Sequence, residues 1–193
     1  VVENGTLTAV EVSNIPLDNP QKVACASTVG KPVGYTAKAE DTNTLLVSNL
    51  GNVTLVKNVT LKSPVCRLKE GEKLIFVASV PSDMTDDLLF VTGKGDCAKL
   101  SLNLFRPMGA GSGLVAGVKM SDIIFAGLVK DVNVIKTVTD KKEVKYTSVE
   151  DCPRRGKGAK GYCLHKTSGK VKEVQILSHL TEQMKLTERG AKA

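Results

Sequence analysis

Apolar and polar positions along this chain follow one short order that recurs at nearly constant spacing. An apolar pair is followed by small polar residues and Gly, then by an alternating run, then by Pro. The first copy runs from Val1-Val2-Glu3-Asn4-Gly5 to Pro16, and the second from Leu46-Val47-Ser48-Asn49-Leu50-Gly51 to Pro64. The third runs from Phe90-Val91-Thr92-Gly93-Lys94-Gly95 to Pro107. In the fourth, Val138-Thr139-Asp140-Lys141-Lys142 leads to Pro153, with Lys142 standing where the Gly was. Positions 5, 51, 95 and 142 are 46, 44 and 47 residues apart. A period in this range means stacked or radially arranged units, each too small to bury its own apolar face.

Each unit reads as β. Leu45-Leu46-Val47-Ser48 turns at Asn49–Asn52 into Val53-Thr54-Leu55-Val56, the β-branched run of a hairpin. After a second polar turn at Lys69–Lys73, Leu74–Ala78 is expected as a buried strand. The third unit repeats the order with Leu88–Val91, Cys97–Leu102, a Gly109–Gly113 loop, Leu114–Val118, and a buried strand over 123–129. Four short strands per unit is the content of one propeller blade. The expected architecture is all-β, with blades over 1–40, 41–84, 85–130 and 131–178 in a single domain. A tail over 179–193 follows, where Leu180, Met184 and Lys185-Leu186 could line one face of a short helix.

Composition narrows the function. The 193 residues can bury a sizeable core, and 41% hydrophobic with 24% charged residues is ordinary for a globular protein. Aromatics make up 4% and Trp is absent, which argues against base stacking as the main binding mode. No apolar run approaches about 18 residues, so no membrane span is expected. The start Val1-Val2-Glu3-Asn4 lacks an initiator Met and a signal peptide's basic region, which predicts a piece of a longer chain. Five scattered cysteines, Cys25, Cys66, Cys97, Cys152 and Cys163, fit neither a disulfide framework nor a zinc site. They read as small buried residues in a reducing compartment. Three Asn-x-Thr sequons at Asn4, Asn52 and Asn58 would suit a secreted protein, but are cheap by chance in an Asn- and Thr-rich chain.

The net charge is +7, and its distribution matters more than its size. Residues 131–193 hold 14 Lys and Arg against 8 Asp and Glu, which leaves +1 for the first 130. Such a patch is either a polyanion contact or a solvated basic surface. Its densest part is Pro153-Arg154-Arg155-Gly156-Lys157-Gly158-Ala159-Lys160-Gly161. The third unit carries the same frame, Arg106-Pro107-Met108-Gly109-Ala110-Gly111-Ser112-Gly113, with most of the charge removed. The glycines let backbone approach a phosphate or another chain closely, and four cations make an anion site credible. The bland alternative is a basic connector crossing between strands. It is not a P-loop, because Tyr162 stands where a Gly-Lys-Ser/Thr ending would be needed.

These residues resemble the C-terminal domain of the A-type subunit of bacterial type IIA topoisomerases, gyrase and topoisomerase IV. The family's blade has an apolar-Val-Thr-x-x-Gly hairpin, Leu-Ser-x-Phe-Arg, a basic glycine loop and an apolar strand pair. The third unit matches through Phe90–Gly95, Lys99, Leu102–Arg106 and Gly109–Gly113, and the fourth through Arg155–Gly161. The first two units keep the hairpin and Pro but lack the glycine loop. The resemblance implies a β-pinwheel, a propeller-like disc whose blades exchange an outer strand, with a basic rim that binds and bends duplex DNA. It implies as partners double-stranded DNA, the rest of the A subunit and the ATPase subunit, in the bacterial cytoplasm at the nucleoid. The gyrase box Gln-Arg-Arg-Gly-Gly-Lys-Gly is matched only by Pro153–Gly158, in the last unit, with Pro153 for the Gln. That departure points to a topoisomerase IV-like domain rather than a strongly wrapping one.

The expected phosphate contacts are Arg154, Arg155, Lys157, Lys160, Lys145 and Lys99, with Arg106 in support and Gly156, Gly158 and Gly161 shaping the loop. No catalytic site, cofactor or metal is expected. His165 and His179 have no convincing partner, and Tyr35, Tyr146 and Tyr162 do not follow an Arg as the family's nucleophile does. The competing reading is a propeller that binds proteins and ignores DNA, supported by the near-neutral first 130 residues.

Overall fold

In each of three successive repeats, two runs of β-branched and leucine residues fold back on one another and a third returns beside them. The computed structural model describes residues 1, 3–6, 31, 33–34, 41–57, 64–83, 85–164, 166 and 168–178. Most of the expected first blade, the tail over 179–193, Cys25, Tyr35, Asn58, His165 and His179 lie outside the described residues. The second repeat supplies β1 (Thr42–Ser48), β2 (Asn52–Val56), β3 (Cys66–Arg67) and β4 (Leu74–Pro81). The third supplies β5 (Asp87–Thr92), β6 (Asp96–Ser101), a 3₁₀ turn at Leu102–Leu104, β7 (Pro107–Met108), β8 (Ser112–Gly113), β9 (Val115–Ala116) and β10 (Ile123–Val129). The fourth supplies β11 (Val134–Thr139), β12 (Val144–Ser148), β13 (Tyr162–Cys163) and β14 (Val171–Leu177).

The first strand of each repeat lies between the other two: β1 between β2 and β4, β5 between β6 and β10, β11 between β12 and β14. The likeness extends to irregularities. A register shift falls at Val47/Ser48, opposite Val91/Thr92, and at Val138/Thr139, the same end of each central strand. The following turn is left-handed in every copy, with φ of 83° at Gly5, 75° at Gly51, 85° at Gly95 and 62° at Lys142. Thr92 Oγ1 accepts from the Asp96 amide at 3.1 Å, and Thr139 Oγ1 from the Glu143 amide at 3.1 Å, so the last two turns are stapled alike. Lys142 thus occupies a glycine position without being glycine.

The chain divides into two compact units. One contains Val1–Ser48, Val53–Ser82 and Arg106–Val115; the other contains Asn49–Asn52, Asp83–Phe105 and Ala116–Ala193. In the first, β7 runs parallel to β2 through Leu55↔Pro107 and Val56↔Met108, and β8 parallel to β3 through Cys66↔Ser112. In the second, Arg154 bridges Lys99 in parallel and β13 pairs with β6 through Tyr162↔Cys97. Each glycine-loop segment therefore closes the sheet of the repeat before its own.

The first unit's core gathers Leu46, Val56, Val65, Cys66, Leu74 and Val77, and the second's gathers Leu89, Val91, Cys97, Val129, Ile135, Val149 and Cys152. All six residues of β5 are buried, since neighbours cover it on both edges. The strands expected as buried at 74–78 and 123–129 exist, but they are the outermost strands of their sheets and only half-buried. Ile124 is exposed, as are Ser121 and Asp122 in the preceding turn. Being apolar did not make them central.

The turn geometry carries a test. Lys142→Gly should stabilise the protein by about 0.5–1 kcal/mol in denaturant unfolding, because it removes a left-handed Cβ at the cost of some chain entropy. Gly51→Ala should destabilise it by more than about 2 kcal/mol. A Cβ there would lie 2.6 Å from Val118 Cγ2 and 2.9 Å from the Val118 carbonyl oxygen.

Candidate nucleic-acid interface

The basic segment of the fourth repeat is fixed at its start by ions that the sequence offered as phosphate contacts. Lys99, on β6, is 3% exposed, and its Nζ donates to Asp131 Oδ1 at 2.7 Å and to the Val149 carbonyl at 2.9 Å. Its alternation along β6 turns it into the sheet stack, where an unpaired ammonium would be costly. Lys99 is therefore buried and engaged in this structure, not on the open surface expected of a phosphate contact. Arg154 Nε donates to Asp87 Oδ2 at 2.8 Å and Nη2 to Asp131 Oδ2 at 3.3 Å. Asp131 thus holds Lys99 and Arg154 together, and two acidic side chains balance the two cations. The Lys99 hydrogen bond, with the Lys99 and Arg154 charges, holds the Asp131 carboxyl below its ordinary range. The Asp87 hydrogen bond, with the Asp87 and Asp131 charges, raises Arg154. Arg154 remains 58% exposed, but its charge is engaged.

Beyond that anchor the cations face solvent. Arg155, Lys157 and Lys160 are exposed, and none has a carboxylate partner among the described residues. The Arg155 amide donates to the Lys99 carbonyl at 2.8 Å, so the backbone stays on the sheet while the side chain leaves it. The Arg155 guanidinium lies 5.9 Å from the Tyr162 ring centre and Lys157 Nζ 5.1 Å from that of Phe105. Both contacts are at cation–π range and leave the donors open. The Lys119 amide donates to the Ala159 carbonyl at 2.8 Å and the Gly158 amide to the Gly117 carbonyl at 2.7 Å. These bonds bring exposed Lys119 beside Gly158 and Lys160. Sequence reading missed Lys119 because it lies some 40 residues from the cluster and only the parallel bridge Val118↔Ala159 unites them.

The three glycines differ. Gly156 has open space around it, Gly158 is left-handed at φ 72°, and a Cβ at Gly161 would sit 2.9 Å from Asp96 Cβ and Met120 Cε. Gly161 is thus needed where the segment presses on β6. Lys145 is half-buried, with Nζ 3.1 Å from Glu143 Oε1 and a further hydrogen bond to the Lys166 carbonyl, so it contributes little free charge. Arg106 is exposed at the head of the first unit's glycine loop. The amide and hydroxyl of Ser168 and the Lys145 ammonium pull Glu143 from the ordinary 4.5 down to about 2. Among the described residues no cluster of His, Cys, Asp and Glu could hold a metal ion, and no helix is long and apolar enough to cross a membrane.

Solved structures share this fold. The chain matches the C-terminal domain of DNA topoisomerase IV with a TM-score of 0.62 and 17% identity, covering 78% of this chain and 51% of that one. It matches the DNA gyrase A C-terminal domain with a TM-score of 0.61 and 18% identity, covering 74% and 53%. The E. coli ParC C-terminal domain matches with a TM-score of 0.50 and 12% identity, covering 72% and 57%. The fold is the β-pinwheel of these domains. The chain spans about half the length of the solved structures it matches. No protein-family model and no curated protein sequence matches it.

The ion network makes two predictions. Asp131→Asn should cost about 2–4 kcal/mol, because it leaves the buried Lys99 ammonium without a compensating negative charge. Adding Lys99→Met should recover most of that loss. Glu143 has its folded-state value depressed, so its contribution is complete above pH 4.5 and is lost as pH falls toward 2. Acid titration of stability should therefore be less steep in Glu143→Gln over that window.

Proposed function

We propose that this chain is a non-catalytic, DNA-binding domain of a type IIA topoisomerase, holding duplex DNA against the basic face formed by Lys119, Arg155, Lys157 and Lys160. The observation that carries the reading is the division of labour in the basic segment: its first cation is tied down by Asp87 and Asp131, and those that follow are exposed without carboxylate partners among the described residues. Mounting the segment on the sheet reduces the ordering entropy that a free loop would lose on binding. Lysines and arginines on rigid backbone suit phosphates, which position a duplex without reading its bases. The solved neighbours named for topoisomerase IV and gyrase share the fold, which supports the parent enzyme class.

In this reading the DNA-cleaving tyrosine and the ATPase belong to other parts of the enzyme. The remainder of the A subunit and the ATPase subunit are its partners, and the bacterial cytoplasm its place. The domain bends the duplex and presents it for strand passage, closer to topoisomerase IV than to a wrapping gyrase, since Pro153 and Lys157 break the gyrase box. Lys99 and Arg154 leave the contact set, and Lys119 joins it.

Titrating a labelled duplex at several salt concentrations tests this. Neutralising about four phosphates predicts a slope of log K on log salt of about −3 to −4, with no strong sequence preference. Replacing Lys119, Arg155, Lys157 and Lys160 together by Ala should weaken binding at least about tenfold at low salt and flatten the slope. Arg106→Ala should change it much less. Unchanged binding by the quadruple variant would favour a protein-interaction disc instead.

A further inference from the structure

The second unit's core contains two thiols that packing alone does not require. Cys97, on β6, and Cys152, in the turn that leads into the basic segment, are each 1% exposed. Their sulfurs lie 3.7 Å apart across 55 residues of chain, and both are free. Leu89, Val91, Ile135 and Val149 surround them, and aliphatic side chains would fill the same space. We propose that Cys97 and Cys152 are a redox-modification site, closing reversibly into a disulfide that clasps the basic segment to β6.

The sulfurs, 3.7 Å apart, would have to close to about 2.05 Å, the length of a disulfide bond. The two thiols are unequal. The Cys97 S–H donates to the Cys152 sulfur, and this bond, helped by the Lys99 ammonium, lowers Cys152, while the same contact and burial raise Cys97. In the proposed exchange Cys152, once deprotonated, is the thiol that attacks first. It attacks one sulfur of a low-molecular-weight disulfide, a Cys152–S bond forms, and the first small thiolate leaves. Cys97 then gives up its proton, attacks the Cys152 sulfur and expels the second thiolate. Two protein thiols are oxidised and one small disulfide is reduced to two thiols.

Access comes from the edge of the sheet. β13 pairs directly with Cys97, is two residues long, and both Tyr162 and Cys163 are exposed. Local opening of so short an edge admits a small reagent without global unfolding. In a thiol-rich compartment the pair rests reduced. The exposed Cys163 departs from the expectation that the cysteines are buried, and it is the competing target. Cys66 sits in the other unit, its thiol pushed up to about 11 by burial and by Glu72.

The test uses the full chain carrying Cys163→Ser, incubated folded with glutathione disulfide, alkylated, digested and mapped by mass. The expected product is lighter by about 2 Da, yields one linked peptide pair joining Cys97 to Cys152, and reverts with dithiothreitol. Its unfolding midpoint rises by several degrees, as closing a loop of this length should produce. A persistent glutathione adduct, a linkage formed only in denaturant, or two thiols that both alkylate after unfolding would overturn the proposal. Cys152→Ser should show no linkage, and the unsubstituted chain, mapped the same way, covers any folding defect of the Cys163 variant.

Discussion

In the first three repeats, the carbonyl of the left-handed turn residue accepts a hydrogen bond from a segment about one and a half repeats downstream. Gly5 accepts from the Val65 amide at 3.2 Å, Gly51 from Val118 at 3.0 Å, and Gly95 from Leu164 at 3.0 Å. The hairpin tip would otherwise leave this carbonyl buried and unmet, a cost comparable to a lost hydrogen bond. The positive φ that aims it is what fixes Gly at this point of the period in the first three repeats. From this constraint follow the exchanged strands, the parallel pairing of β7 with β2, and the position of every glycine-loop segment on the preceding sheet.

The same exchange explains why cations of one short segment behave differently. Arg154 reaches the sheet at Lys99, whose buried ammonium demands a carboxylate, and Asp131 answers both. The exposed Arg154 pairs are screened by solvent and add little, whereas Asp131 neutralises an ammonium that is buried. Residues after Arg154 have left the sheet's reach with their side chains but not with their backbone. Fixed backbone and open charge together are what a phosphate-binding face needs.

Much of the fold was legible because hairpins are local. The runs Leu45–Ser48 and Leu88–Val91, their turns and the recurring period appear in the order of residues alone. What was not legible depends on pairing between distant segments. Leu74–Ala78 and Ile123–Val129 are as apolar as the central strands, and only sheet order makes them outer. Nor does the local pattern distinguish Lys99 from Lys157: the first faces Asp131 through a pairing 32 residues away, while the second faces solvent. Lys119 entered the basic face through a backbone bridge to Ala159 that no local spacing reveals.

Lysine acylation of the folded chain, mapped by mass with and without a short duplex, tests the central claim most directly. Lys119, Lys157 and Lys160 should react readily in the free protein and become protected by DNA, while Lys99 stays unreactive in both. Ready acylation of Lys99 in the folded chain would contradict the ion network. Protection by DNA that spares Lys119, Lys157 and Lys160 would contradict the proposed face.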